Sequence, residues 1–135
     1  MGTLAEAPLI LVIDDDDAVL QVYREVLEDE GYRLSLRVRP PLGTAEVRQL
    51  QPDLILLDLI FGFADTGWHF LRLLKEDATT AGIPVIVATA DHRLAAEQRS
   101  QLDAWDCRLI LKPFDIDEFS TAIRDALNES RAGSR

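Results

Sequence analysis

The sequence predicts an α/β fold, a doubly wound parallel sheet of five strands with five helices. Short runs rich in Val, Ile and Leu recur along the 135 residues. Four of them, "LILVI" (9–13), "LILLD" (54–58), "PVIVATA" (84–90) and "CRLILK" (107–112), are almost continuously apolar. Strands read this way when helices cover both faces of a parallel sheet. Between the runs lie stretches with apolar residues at helical spacing, so that strand and helix alternate five times.

Strand 9–13 leads straight into four aspartates, 14–17. Residues 17–29 place Val19, Val22, Tyr23, Val26 and Leu27 on one helical face, and Gly31 follows as a stop. "RLSLRVR" (33–39) alternates apolar and polar, which predicts an edge strand with one face exposed. A weaker helix over 41–50 is opened by Pro40 and Pro41. After strand 54–58, a helix over 67–77 carries Phe70, Leu71 and Leu74 in phase. Strand 84–90 precedes a polar helix over 93–103. Strand 107–112 precedes a helix over 115–128, with Ile116, Phe119, Ile123 and Leu127 in phase and Asp115 as its cap. Parallel crossovers are right-handed. Five strands in so short a chain favour the flavodoxin-like order 2-1-3-4-5.

Length and composition set the bounds. Apolar residues make up 47% and charged residues 28%, enough for one core. The expected organisation is an extension over 1–7, one domain over 8–129 and a flexible tail over 130–135. The formal net charge of −10 disfavours direct contact with nucleic acid or an anionic membrane and favours a divalent cation or a basic partner surface. The single cysteine, Cys107, allows no internal disulfide, which fits a reducing compartment. "MGTLAEAP" has no basic region followed by an apolar stretch, so no signal peptide is expected, and the protein reads as cytoplasmic.

In an open α/β sheet, ligands bind beyond the carboxyl ends of the strands, where the strand order switches. Those ends deliver Asp14 and Asp15, Asp58, Thr89 and Lys112. Two carboxylates about 4 Å apart repel by roughly 1 kcal/mol in water and about 4 kcal/mol near a protein surface. Converging carboxylates therefore need a counter-ion. Oxygen-rich ligation completed by water suits Mg²⁺. A lysine and a hydroxyl beside them suit a phosphoryl group, and a carboxylate can itself be a nucleophile that forms an acyl phosphate.

At these residues the sequence resembles the receiver domain of two-component response regulators, the family of the chemotaxis regulator. "LILVIDDDD", "PDLILLDL", "PVIVATA" and "LILKPF" match it in order, over about residues 8–129. The resemblance implies that Asp58 accepts the phosphoryl group. It implies that Asp14 and Asp15 bind Mg²⁺ together with Asp58 and the backbone carbonyl of Ile60. Thr89 and Lys112 would contact the phosphoryl oxygens, and the Lys112–Pro113 bond would be cis. The implied donor is a histidine kinase or a phosphotransfer protein. The implied output is a protein contact through the fourth helix, fifth strand and fifth helix, with a phosphorylation-dependent homodimer as a further expectation. Asp16 and Asp17 are left to serve the first helix as N-terminal carboxylates.

Four features depart from the pattern. Gly62 stands where the loop after Asp58 usually has Pro, and the stretch 60–68 is one residue longer than the common form. Leu109 replaces the usual aromatic switch residue, and Trp105-Asp106 replaces a small pair before the last strand. Leu109, Trp105 and Pro113 are thus the candidates for an altered switch or partner surface. A bulky Ile60 would screen the phosphoryl group from water. Two other readings remain at this level. One is a binding module of the same fold that does not use phosphorylation. The other is a phosphatase of the haloacid dehalogenase type, suggested by Asp14-x-Asp16, in which Asp14 and not Asp58 would be phosphorylated.

Overall fold

The computed structural model describes residues 7–59 and 66–133. The chain runs β1 (Leu9–Ile13), α1 (Asp17–Asp29), β2 (Arg33–Arg37), α2 (Ala45–Leu50), β3 (Leu54–Asp58) and α3 (Thr66–Glu76). It continues with β4 (Val85–Thr89), α4 (His92–Glu97), α5 (Arg99–Ala104), β5 (Arg108–Leu111) and α6 (Ile116–Gly133). The strands form one parallel sheet in the order β2-β1-β3-β4-β5. This is the flavodoxin-like order that the sequence predicts.

Side chains alternate across each strand, and the core divides accordingly. Ile10, Val12, Leu54, Leu56, Ile86, Ala88 and Ile110 pack with Leu20, Tyr23 and Leu27 of α1 and Phe119, Ile123 and Leu127 of α6. On the other face, Leu11, Ile13, Ile55, Leu57, Val85 and Val87 pack with Val47 of α2, Phe70, Leu71 and Leu74 of α3 and Leu102 of α5. The central strands are buried on both faces, which is why their sequences are continuously apolar. The edge strand β2 is half-covered, as its alternation predicts.

α1 begins with Asp16 as its cap, the side chain accepting from the N–H groups of Ala18 at 2.9 Å and Val19 at 3.3 Å. It ends at Gly31, whose φ of +92° is left-handed. Gly31 N–H donates to Glu28 and Tyr32 N–H to Leu27, the paired bonds of a glycine-terminated helix.

Several bounds differ from expectation. Six helices stand among the described residues instead of five, because the predicted helix over 93–103 is broken at Gln98. Each half holds only one buried side chain, Ala95 or Leu102, and so docks separately. α2 starts at Ala45 and not at Pro41. Its flanking Thr44 hydroxyl is spent on Asp77 of the next crossover, at 2.6 Å, and makes no cap bond. β2 stops at Arg37, before Val38 and Arg39. α6 runs on to Gly133. On α1, Leu20 is buried where Val22 was expected, and Val22 is 53% exposed. No helix among the described residues is long and apolar enough to cross a membrane.

Candidate functional site

β1, β3 and β5 end at the same edge of the sheet. Asp14 continues the alternation of Ile10 and Val12, Asp58 that of Leu54 and Leu56, and Lys112 that of Ile110. The three side chains therefore leave the sheet on the same face, toward α1 and α6. Asp14 is only 2% exposed. A buried carboxylate is costly unless it is paired and hydrogen-bonded, and Asp14 is both. Its Oδ2 accepts from Lys112 Nζ at 3.0 Å and its Oδ1 from the Asp16 N–H at 3.0 Å. Its own N–H donates to the Arg37 carbonyl at 3.1 Å, tying the end of β1 to β2.

The same Lys112 Nζ lies 3.7 Å from Asp58 Oδ2, so one ammonium bridges the ends of β1 and β3. Asp14, Asp15 and Asp58 each present a carboxylate oxygen within 4.8 Å of the others. Asp14 is buried, Asp58 half-buried and Asp15 exposed, so the cluster opens to water on one side. Oxygen donors with solvent access fit a hard dication that keeps part of its hydration shell.

Thr89 is fully buried. Its carbonyl accepts from the Lys112 N–H at 2.9 Å, which holds the ends of β4 and β5 together. Its Oγ1 accepts from the Asp91 N–H at 3.1 Å, a bond that fixes the oxygen and leaves the hydroxyl proton to donate elsewhere. Asp91 also caps α4, accepting from the Leu94 N–H at 2.9 Å. The Lys112–Pro113 peptide is cis and Pro113 is exposed. His92 Nε2 sits 3.0 Å from the Lys112 carbonyl oxygen.

The structure thus brings Asp14, Asp15, Asp58 and Lys112 together, while Thr89 ends the neighbouring strand β4 and meets Lys112 through its backbone carbonyl. Ile60 and Gly62 lie outside the described residues. Leu109 and Trp105 are on the other face of the sheet, half-buried against the α3 side of the core. The Trp105 ring lies 5.3 Å from that of Trp68 at the start of α3. His69 and His92 are exposed, and Cys107 is a buried thiol whose acidity burial weakens.

Two residues near the site escape a reading by sequence pattern. Gly67 opens α3 against the end of β3. A Cβ there would lie 2.7 Å from the Asp58 carbonyl oxygen and 2.6 Å from that of Leu59. A glycine in the first turn of a helix is the only sequence trace of this approach. Tyr23 reads as an ordinary core residue, yet its buried hydroxyl has no hydrogen-bond partner among the described residues. Burial, and then the charges of Asp14 and Asp58, push its ionisation well above the usual phenol range. The phenol therefore stays neutral beside the carboxylates.

A family model described as response regulator receiver domain matches residues 10–124. The chain is similar to the DNA-binding dual master transcriptional regulator RpaA of Synechocystis, with 36% identity over 91% of this chain and 50% of that protein. It is similar to the KDP operon transcriptional regulatory protein KdpE of Escherichia coli, with 32% identity over 91% of this chain and 52% of that protein. It spans about half the length of those regulators. The polar-differentiation response regulator DivK of Brucella abortus is 28% identical, over 90% of this chain and 97% of its own length. Among solved structures, a CheY-like receiver domain protein from Methanospirillum hungatei superimposes with a TM-score of 0.82, at 23% identity, over 94% of this chain and 98% of its own. The receiver domain of the sensor histidine kinase PA1611 from Pseudomonas aeruginosa, which holds a magnesium ion in its active-site cleft, gives a TM-score of 0.75 at 21% identity. That match covers 90% of this chain and 98% of its own.

Proposed function

The chain belongs to the response regulator receiver domain family, and from that premise we propose that Asp58 accepts the phosphoryl group, with Mg²⁺ held by Asp14, Asp15 and Asp58. A receiver domain of two-component signalling is a signalling unit and not a classical enzyme. The observation that carries the assignment is the single ammonium of Lys112 lying between Asp14, at 3.0 Å, and Asp58, at 3.7 Å, within an acidic cluster open to water. The Ile60 carbonyl is the expected fourth protein ligand. Mg²⁺, when bound, supplies countercharge to the carboxylates and to the phosphoryl oxygens.

In the proposed transfer, a carboxylate oxygen of Asp58 forms the new O–P bond. The P–N bond of a donor phosphohistidine breaks, and its electron pair stays on the imidazole nitrogen. The donor is a histidine kinase or a phosphotransfer protein. Lys112 is already placed to neutralise charge that builds on the transferring oxygens. The phosphoryl group carries about −1.5 to −2 charge, in place of the single negative charge of the Asp58 carboxylate. That charge draws Lys112 from Asp14 toward the phosphoryl group, and the proton on Thr89 Oγ1 can donate to it. Because Thr89 ends β4 and Lys112 follows β5, their displacement alters the surface of α4, α5, β5 and α6. This is the proposed output face, where Leu111 is 40% exposed. The proposed setting is the cytoplasm, and the proposed partners are proteins, this chain's own copy included.

Binding of beryllium fluoride, which stands in for a phosphoryl group on a carboxylate, tests the assignment. Tryptophan emission should respond to it only with Mg²⁺ present and should not respond in Asp58→Asn. A response kept in Asp58→Asn but lost in Asp14→Asn would point to the phosphatase reading. No response from either folded protein would point to a phosphorylation-independent module.

A further inference from the structure

We propose that the Trp68–Trp105 pair couples the occupancy of Asp58 to the junction of α5 and β5, the tilted ring contact rearranging when a phosphoryl group arrives. The inference rests on Asp58 being the acceptor.

The link begins at Gly67, where even a methyl group would collide with the Asp58 and Leu59 carbonyl oxygens. The first turn of α3 is therefore in hard contact with the acceptor's own backbone, and a shift of one must move the other. Trp68 is the next residue. Its ring meets that of Trp105 at 5.3 Å and 36°, and both are half-buried.

Trp105 closes α5, its N–H donating to the Gln101 carbonyl at 3.0 Å. Asp106 then turns the chain with a left-handed φ of +57°. Cys107 N–H ties the turn back to the Leu102 carbonyl at 2.9 Å. β5 follows at once and ends one residue before Lys112. Trp105 and Lys112 thus sit at the two ends of one stiff strand.

Two bridges join the acceptor segment to the lysine strand. One is the ion bridge of Lys112 on the α1–α6 face. The other is the tryptophan pair on the α3 face. The other ring contacts among the described residues join Tyr23, Phe114 and Phe119 on the opposite side of the sheet. Leu109, between the two bridges, is aliphatic. When Lys112 is drawn to new oxygens, β5 moves relative to α3, and the tryptophan pair is the contact that must adjust.

The chain has two tryptophans, so the far-ultraviolet exciton couplet of a Trp–Trp pair reports this contact alone. Beryllium fluoride would be titrated with Mg²⁺, with ¹⁹F NMR reading the bound probe and circular dichroism reading the couplet. The couplet should change along the same titration as the ¹⁹F resonance and stay constant in Asp58→Asn. Linkage then requires Trp105→Leu to change the half-saturating concentration by about fivefold or more, with Trp105→Phe staying within about twofold of the native chain. A bound ¹⁹F resonance with an unchanged couplet would overturn the proposal. The absence of any Mg²⁺-dependent resonance in the folded native chain would overturn the acceptor assignment itself.

Discussion

Lys112 is the cation that makes a buried carboxylate tolerable at Asp14. Taking it away leaves Asp14 charged, buried and beside two other acids. Lys112→Met should cost about 3 kcal/mol in urea unfolding, the order expected when one partner of a buried pair is removed. Mg²⁺ should recover a large part of that loss, because it supplies the missing countercharge. Equal losses with and without Mg²⁺ would contradict this account of the pair. Gly67 tests the other constraint on Asp58. Gly67→Ala puts a methyl 2.6–2.7 Å from two backbone oxygens that no rotamer change can move. Such overpacking should destabilise the protein by about 2 kcal/mol in the same assay. An unchanged midpoint would show that α3 can retreat from β3. These residues differ in how far sequence reveals them. Asp14, Asp58 and Lys112 each end an apolar run, so their placement follows from strand periodicity, and Asp15 is the next residue after the first of them. The contact of Gly67 and the orphan hydroxyl of Tyr23 depend on how two elements approach, which no local pattern encodes.

Asp77, just past the end of α3, holds one crossover to the next. Its carboxylate accepts from Thr44 Oγ1 at 2.6 Å, from Thr79 Oγ1 at 2.6 Å, from the Thr79 N–H at 2.9 Å and from Arg48 Nη1 at 2.9 Å. The Thr44 and Thr79 bonds, with Arg48 beside them, hold its pKa well below the usual carboxylate range. In the unfolded chain this aspartate takes up its proton first as pH falls. Its contribution is therefore present above the ordinary carboxylate value and is lost below it. Between about pH 5 and pH 2 the stability of the native chain should fall more steeply than that of Thr44→Val. Parallel acid limbs in denaturant titrations of the two proteins would refute this. The second helix was misread at its start, because Pro40 and Pro41 suggest an opening at 41 whereas the first helical residue is Ala45. A threonine before a helix normally advertises a cap, but this one is turned toward Asp77. The split of α4 from α5 was equally hidden, because Leu94, Ala95 and Leu102 are in phase for one continuous helix. The central strands were legible because burial on both faces leaves no polar position to confuse the pattern.

For the whole molecule, the net charge of −10 and the acidic cluster act together. A dication bound only by the folded state stabilises it by mass action. At ten times its dissociation constant, Mg²⁺ should add about 1.4 kcal/mol and raise the melting temperature by about 3–6 °C. The rise should be reversed by chelator and much reduced in Asp15→Asn at matched ionic strength. An equal rise in that variant would mean that Mg²⁺ only screens the surface charge. Strand order, sheet edges and the edge carrying the site all followed from alternating strands and helices in a short chain. The aromatic contact across the α3 face did not, since Trp68 and Trp105 lie far apart in sequence and neither belongs to a strand.

The most direct test of the central claim is to find which aspartate carries the phosphoryl group. The chain would be treated with a small-molecule phosphoryl donor and Mg²⁺. Borohydride would then reduce the acyl phosphate, and peptide mass mapping would locate the reduced residue. Reduction is expected at Asp58 alone, with none in the absence of Mg²⁺. Reduction at Asp14, or at no residue in a folded and Mg²⁺-loaded protein, would contradict the claim.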